Sequence, residues 1–260
     1  MQKTFGDRHN FGRQVTRQGP DQILKPRSVF WEYLFLSGKS PLRIYINEIF
    51  KNSNKTSPFQ SIPDLEVTFS GDEIYSGSLT YLPLESTFST DVPLSQYESL
   101  GAIVALLSWF GIGDLHLENI IISNSKDSLV VFPLDIESIF NDYILPSQTR
   151  LIPDSQKTFN NFGLQCLNEI SDLDFTTEAV CAMTHGYVSS IETLNDYELQ
   201  IYQTLNSLQD IENCPIRVII RETKSYRDAV LNNNFSTFMP FEVEQLSRGD
   251  IPYFFSFFKR

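Results

Sequence analysis

Cysteine, histidine and methionine each occur only three times in 260 residues, and that scarcity narrows the functions open to the chain. Cys166, Cys181 and Cys214 are odd in number and show no Cys-x-x-Cys spacing. They suit neither a disulfide framework nor a clustered zinc site, so free thiols in a reducing compartment are expected. Basic runs are missing as well. With 32 acidic and 20 basic residues the net charge is −12. No cluster of Lys and Arg is available to neutralise a phosphate backbone, so no nucleic-acid partner is expected. The acidity reads first as a solubility device and second as a weak preference for a basic peptide. The longest apolar stretch, residues 100–112, is interrupted by Ser108. It is too short to cross a bilayer, so it predicts a buried helix and no membrane span. The opening MQKTFGDRHN has no apolar core of the kind a secretory signal needs, and a cytoplasmic location is expected.

Apolar and aromatic residues are plentiful. Hydrophobic residues make up 41% of the chain, and 21 phenylalanines stand among them, enough for one large domain or two lobes. Segment 11–28, FGRQVTRQGPDQILKPRS, predicts two strands around a Gly19-Pro20 turn, with Pro26 ending the second. Residues 28–52 carry apolar positions at helical spacing, divided by Gly38 and Pro41 into two helices or one kinked helix. A polar loop over 52–63 is followed by a strand, a Gly-Asp turn and another strand within LEVTFSGDEIYSGSLTYLPL,. The polar joint near residues 85–95 predicts a boundary between lobes. Beyond it come the apolar helix, the loop GDLHLEN at 113–119, and two strand-like runs, NIIIS and SLVVFPLDIE. Helical pattern follows over 177–210, with Val180, Met183, Tyr187, Ile191 and Leu194 on its apolar face, and then the strand-like IRVIIR. The expected fold class is α+β: a two-lobed, kinase-like outline with a strand-rich N-lobe (1–90) and a helix-rich C-lobe (91–260).

The chemistry concentrates in GDLHLENIIISNSKDSLVVFPLDIE. Asp114 and Asn119 occupy a loop after a buried helix, and Asp135 and Glu137 follow a strand. Phosphoryl transfer needs these residue types in this order. A loop Asp orients or deprotonates the attacking hydroxyl, while an Asn and later carboxylates supply hard oxygen ligands to Mg²⁺. Lys25, on a candidate strand, suits the α/β-phosphates of ATP. Each motif alone has an ordinary explanation, such as a solvated lysine or a helix cap; their joint order favours the kinase-like reading. A competing reading is a metallohydrolase whose ligands come from His9, His116 and His185 with Asp7 and Asp114. His185, in MTHGY, has no acidic neighbour within three residues, which favours a surface or packing role for it.

Four stretches together resemble a known family. GDRHNFGRQV with LKPRSV, GDLHLENIIIS with PLDIESIF, IRVIIRETKSY, and LSRGDIPYF occur in that order from residue 6 to residue 254. They are similar to the conserved segments of the dehydratase domain of class II lanthipeptide synthetases. The resemblance implies a fold related to lipid kinases. It also implies ATP- and Mg²⁺-dependent phosphorylation of Ser and Thr in a ribosomally made precursor peptide, then elimination of phosphate to dehydroalanine or dehydrobutyrine. By position, Asp114, His116, Asn119, Asp135 and Glu137 match the phosphorylation and metal residues, with Asn119, Asp135 and Glu137 as metal ligands. Lys25 matches the nucleotide-contacting lysine, and Asp7, His9, Arg217 and Thr223 match the elimination residues.

The residue types suit those roles. Arg217 can hold a departing phosphate by a bidentate contact, Thr223 can donate a further hydrogen bond, and Asp7 with His9 can position a loop or move a proton. Ordinary pairing with acidic neighbours is the alternative for Arg217 and Arg221. The chain is shorter than the family's domain and carries no cyclase domain, so the expected partners are the precursor peptide and a separate cyclase or leader-binding protein. A kinase that stops at the phosphorylated product and an inactive binding module stand as the alternative functions.

Overall fold

The computed structural model describes residues 4–9, 13–70, 76–86, 92–125, 128–143, 145–153, 161–165 and 176–259, with the side chains of 4–9 and 125 excepted. It is an α+β protein with small antiparallel sheets and several helices. Two compact units form. One gathers Met1–Phe30, Glu66–Leu82 and Glu212–Arg260; the other comprises Trp31–Leu65 and Pro83–Ile211. This division does not follow a single cut near residue 90. The helical segment after Trp31 groups with the central part of the chain, and the last 49 residues group with the strands.

The first unit is built on a five-stranded antiparallel sheet in the order β1-β2-β3-β5-β4. Its strands are β1 (Thr4–His9), β2 (Arg13–Gln18), β3 (Gln22–Ser28), β4 (Val67–Phe69) and β5 (Ser76–Thr80). The β2–β3 turn is the expected one, with Gly19 at φ 67°, a conformation that suits glycine. Strand β3, however, does not stop at Pro26. Lys25 pairs with Gly77, and the next pairing is Ser28 with Ser76. The strand bulges over the intervening residues, which takes Pro26 out of the ladder where its missing N–H would cost a bond. The expected Gly-Asp turn after β4, at residues 71–72, lies outside the described residues.

The rest of this unit comes from the end of the chain. Strand β8 (Pro215–Val218) pairs with β9 (Phe254–Phe257), and between them lie α6 (Thr223–Asn232) and α7 (Pro240–Ser247). Glu242, wholly buried, holds these two helices together. Its carboxylate accepts hydrogen bonds from the Met239 N–H at 2.8 Å, the Tyr226 hydroxyl at 2.8 Å and the Arg221 Nε at 3.1 Å. Arg221 also donates to the Thr237 carbonyl at 2.8 Å. Arg221 thus makes the ordinary acidic pairing.

The second unit surrounds α3 (Leu94–Trp109), which is buried along most of its length and ends in the residues of the expected apolar helix. Around it lie α1 (Phe30–Leu36), α2 (Pro41–Asn52), the hairpin β6 (Ile120–Ser125)–β7 (Ser128–Pro133), α4 (Thr177–Asp196) and α5 (Glu198–Asn206). Gly38 and Pro41 do separate two helices. Ser40 caps the second by accepting from the Arg43 N–H at 3.3 Å, which satisfies one of the helix's unpaired donors. An aromatic cluster fills the core: Phe35 meets Phe110 edge-on at 5.0 Å, and Trp31 meets Phe140 edge-on at 5.5 Å. Such edge-to-face pairs contribute beyond their buried area.

The buried face of α4 differs from the expected one. Ala179, Gly186, Ser190, Thr193 and Leu194 face inward, while Val180 is 45% exposed. Small residues prevail because α4 lies against the backbone of α3, leaving no room for larger side chains. No helix among the described residues is long and apolar enough to cross a membrane.

Candidate active site

The loop at 113–119 begins where α3 ends. Gly111 adopts φ 58° and reverses the chain. A side chain there would strike the backbone of Asn141. The loop is then pinned from one side by the segment that follows the hairpin. Phe140 N–H donates to Phe110 O at 2.8 Å, Gly113 N–H to Ser138 O at 2.9 Å, and Leu115 N–H to Thr149 O at 2.9 Å. The Asn141 side chain adds a bond to Gly111 O at 2.8 Å. Buried backbone groups are thereby paired without a strand or helix.

Within the loop, Asp114, His116 and Asn119 come together. Asn119 Nδ2 donates to the Asp114 backbone carbonyl at 2.9 Å and lies 3.2 Å from His116 Nε2. His116 Nδ1 accepts from the Glu118 N–H at 3.3 Å. His116 Nε2 is also 3.7 Å from Asp114 Oδ1. Asp114 has φ 61°, a left-handed conformation that Asp tolerates better than most residues. Its Oδ1 also meets Arg150 Nη1 at 3.2 Å.

The acidic pair is tied to the same place through the backbone. Leu134 N–H donates to Asn119 O at 2.8 Å, which fixes the chain just before Asp135 against the loop. Glu137 is buried, with 6% of its surface exposed. Thus Asp114, His116, Asn119, Asp135 and Glu137 all belong to the second unit and to one hydrogen-bonded stretch of it.

The remaining expected residues belong to the first unit. Lys25 lies on β3 and is buried, with 6% exposed, so it is not a solvated surface charge. Asp7 and His9 lie on β1; their side chains are outside the described part of the structure. Arg217 is half-buried on β8, with its guanidinium 5.4 Å from the centre of the Tyr253 ring. Thr223 opens α6 immediately after the cap residue Glu222. The expected phosphorylation residues and the expected elimination residues therefore sort into different units, with Lys25 accompanying the latter.

His185 is on the surface of α4, 71% exposed, and pairs with Glu98 of α3 at 3.1 Å. No group of three or more His, Cys, Asp or Glu side chains that could hold a metal occurs among the described residues. Asp7 and His9, which the dinuclear metallohydrolase reading also needs, have side chains outside the described part. The oxygen donors of the loop suit Mg²⁺, an ion usually held by one or two protein carboxylates with phosphates and water completing its shell. Asn119 suits such a shell: its amide nitrogen is spent on Asp114 O, so its amide oxygen is the atom left to meet a cation.

Three side chains of the site had no signal in the sequence. Arg150 follows the 3₁₀ turn Pro146–Thr149 and belongs to no motif. Asn161 accepts from the Leu117 N–H at 3.1 Å through Oδ1. Tyr143 sits with its hydroxyl against Gly113; burial, then the Asp114 charge, push its pKa upward, against a smaller opposite effect of Arg150, so it stays a neutral hydroxyl. Set against known proteins, the chain matches no family model and no curated protein.

Proposed function

We propose that the protein is an ATP- and Mg²⁺-dependent Ser/Thr dehydratase acting on a ribosomally made precursor peptide in the cytoplasm. One observation carries this reading: Asn119 is bonded to Asp114 O at 2.9 Å and receives Leu134 N–H at 2.8 Å. A loop Asp, an Asn and the run into an acidic pair are thus held as one element, as phosphoryl transfer requires. The two-lobed kinase-like arrangement belongs to the same proposal.

In the first half-reaction Asp114 receives the proton of the substrate hydroxyl as its oxygen bonds to the γ-phosphorus and the bond to the departing ADP breaks. His116 Nε2 lies 3.7 Å from Asp114 Oδ1 and helps orient that carboxylate. Asn119, Asp135 and Glu137 would hold Mg²⁺, which when bound neutralises charge on the phosphates. Lys25 would contact the α/β-phosphates. In the second half-reaction the α-proton leaves, the Cβ–O bond breaks and phosphate departs, leaving a Cα=Cβ bond. Arg217 and Thr223 would bind the departing phosphate, and Asp7 with His9 would serve the proton movements.

The sorting of the two residue sets into different units gives weight to a second reading, a kinase whose product keeps its phosphate. Mass measurement separates the two. The protein is incubated with ATP, Mg²⁺ and the peptide encoded beside its gene. Loss of water supports the dehydratase, a stable phosphate adduct supports the kinase, and an unchanged peptide without ATP binding leaves an inactive binding module. Arg217→Ala is expected to accumulate phosphopeptide and Asp114→Ala to leave the peptide unmodified. Normal dehydration by Arg217→Ala would remove Arg217 from the elimination step.

A further inference from the structure

Six described residues other than glycine have positive φ: Asn54, Asp114, Phe140, Arg150, Asp210 and Asn233. Four of them are Asn or Asp, which tolerate the left-handed region through short polar side chains. Phe140 and Arg150 are the unusual ones, and both border the 113–119 loop. Phe140 has a packing reason for its position, against Trp31 and Phe110. Arg150 closes the 3₁₀ turn Pro146–Thr149, its N–H bonded to Ser147 O at 3.1 Å, a left-handed cap position that glycine usually takes; its side chain is 31% exposed, so packing does not call for an arginine there.

The side chain of Arg150 reaches Asp114, with Nη1 at 3.2 Å from Oδ1. The backbone around it grips the same loop. Thr149 O accepts from Leu115 N–H at 2.9 Å. His116 Nε2 approaches the same Oδ1. The Asp114 carboxylate is therefore located from two sides, by an imidazole within its own loop and by a guanidinium from a remote one. A backbone conformation that glycine would adopt without strain is kept by arginine, and the charged contact its side chain makes there falls on the expected proton acceptor,.

We propose that Arg150 is a positioning residue for phosphoryl transfer, holding the Asp114 carboxylate in the rotamer that meets the substrate hydroxyl. The proposal rests on the reading of Asp114 given above. A planar guanidinium suits this task because it fixes an oxygen in direction as well as in charge. It acts through Asp114, so its loss is felt in turnover more than in ATP binding.

Arg150→Gly isolates the side chain, since glycine relieves the backbone conformation. The variant is expected to keep or raise the melting temperature, to lower kcat of phosphorylation by about 100-fold, the scale of a misplaced catalytic group, and to leave KM for ATP unchanged. Added guanidinium chloride at millimolar concentration is expected to restore part of that kcat without affecting the wild type, and Arg150→Lys to lose less than Arg150→Gly. Wild-type kcat in Arg150→Gly overturns the proposal. So does a loss that guanidinium leaves untouched and that comes with a lowered melting temperature. Amide exchange over residues 114–117, which needs no turnover, is expected to quicken several-fold in Arg150→Gly and less in Arg150→Lys. Unchanged exchange overturns the positioning role even if the wild type proves to transfer no phosphate, an outcome that would sink the proposed reaction separately.

Discussion

Gly101 on α3 and Gly186 on α4 each lie against the backbone of the other helix: a methyl group on Gly101 would strike Met183 O, and one on Gly186 would strike Glu98 O. The obstacle is main chain, which cannot swing aside as a long side chain can. Gly186→Leu is expected to destabilise the protein by about 3 kcal/mol, at the upper end for overpacking. Urea denaturation reads this as a lower midpoint. A midpoint equal to that of the wild type would mean that the helices part without cost.

Arg43 is 6% exposed yet donates to four backbone carbonyls: Phe35 O at 3.1 Å, Phe59 O at 3.2 Å, Ile62 O at 2.7 Å and Pro63 O at 2.9 Å. Burial, partly opposed by Asp64, draws its pKa below the ordinary value, but a guanidinium stays charged at neutral pH. The segment after α2 is thus closed over α1 by one side chain. Arg43→Met leaves the carbonyls unpaired and is expected to cost about 3 kcal/mol or more. Arg43→Lys is expected to recover little, because an ammonium cannot fork to carbonyls in one plane. Thermal unfolding of the two variants checks both statements.

Glu242 yields a pH dependence. Burial alone would raise its pKa, but the Met239 N–H, the Tyr226 hydroxyl and Arg221 outweigh it, and the net shift is downward. Conversely, Tyr226 is pushed upward, by burial first and then by its bond to Glu242. A carboxyl whose folded pKa lies below its unfolded value contributes stability above the unfolded value and loses it as pH falls through the folded one. Glu242→Gln is expected to be about 2 kcal/mol less stable at pH 7, having lost charge-assisted bonds. The gap to the wild type narrows as the solution is acidified below the usual carboxylate range. A gap that is constant with pH would show that Glu242 is not the group responsible.

Asn119→Ala removes both the bond to Asp114 O and the amide oxygen proposed as a ligand for Mg²⁺. If the loop carries phosphoryl transfer, the Mg²⁺ concentration for half-maximal activity rises about tenfold or more, as when partners of a metal site are removed. A magnesium titration of peptide phosphorylation measures it. An unchanged half-maximal concentration assigns Asn119 to loop architecture alone.

Where the chain obeys periodicity, the sequence was enough. Helix α3, the β6–β7 hairpin and the helix break at Gly38-Pro41 follow from runs and punctuation that local chemistry enforces. Pro26 reads locally as a strand end, but a bulge absorbs it, and the bulge depends on pairing with β5, a distant segment,. Val180 likewise reads locally as a buried position, but α4 buries the side on which Gly186 and Ser190 allow close contact with α3, and size overrides apolarity there. The Asp114–Asn119 element was legible as a motif. Arg150 was not, since what singles it out is a contact 36 residues away in sequence and a φ angle that no composition reveals.

The first unit draws on Met1–Phe30, Glu66–Leu82 and Glu212–Arg260, whereas the second lies wholly within residues 31–211. The two therefore differ in when they can be completed as the ribosome delivers the chain. By the time residue 211 has emerged, every segment of the second unit is present, and α3 can close with α4 and with the 113–119 loop. The β1–β5 sheet has all its own strands by Thr80, but the unit it belongs to is completed only with β8 and β9, whose pairing joins Pro215 with Phe257. Folding from the N-terminal end onward is the usual order for nascent domains. Here the earliest-made strands belong to the unit that is finished last, so their sheet has to stand without that unit's closing segment while the middle of the protein is already folded.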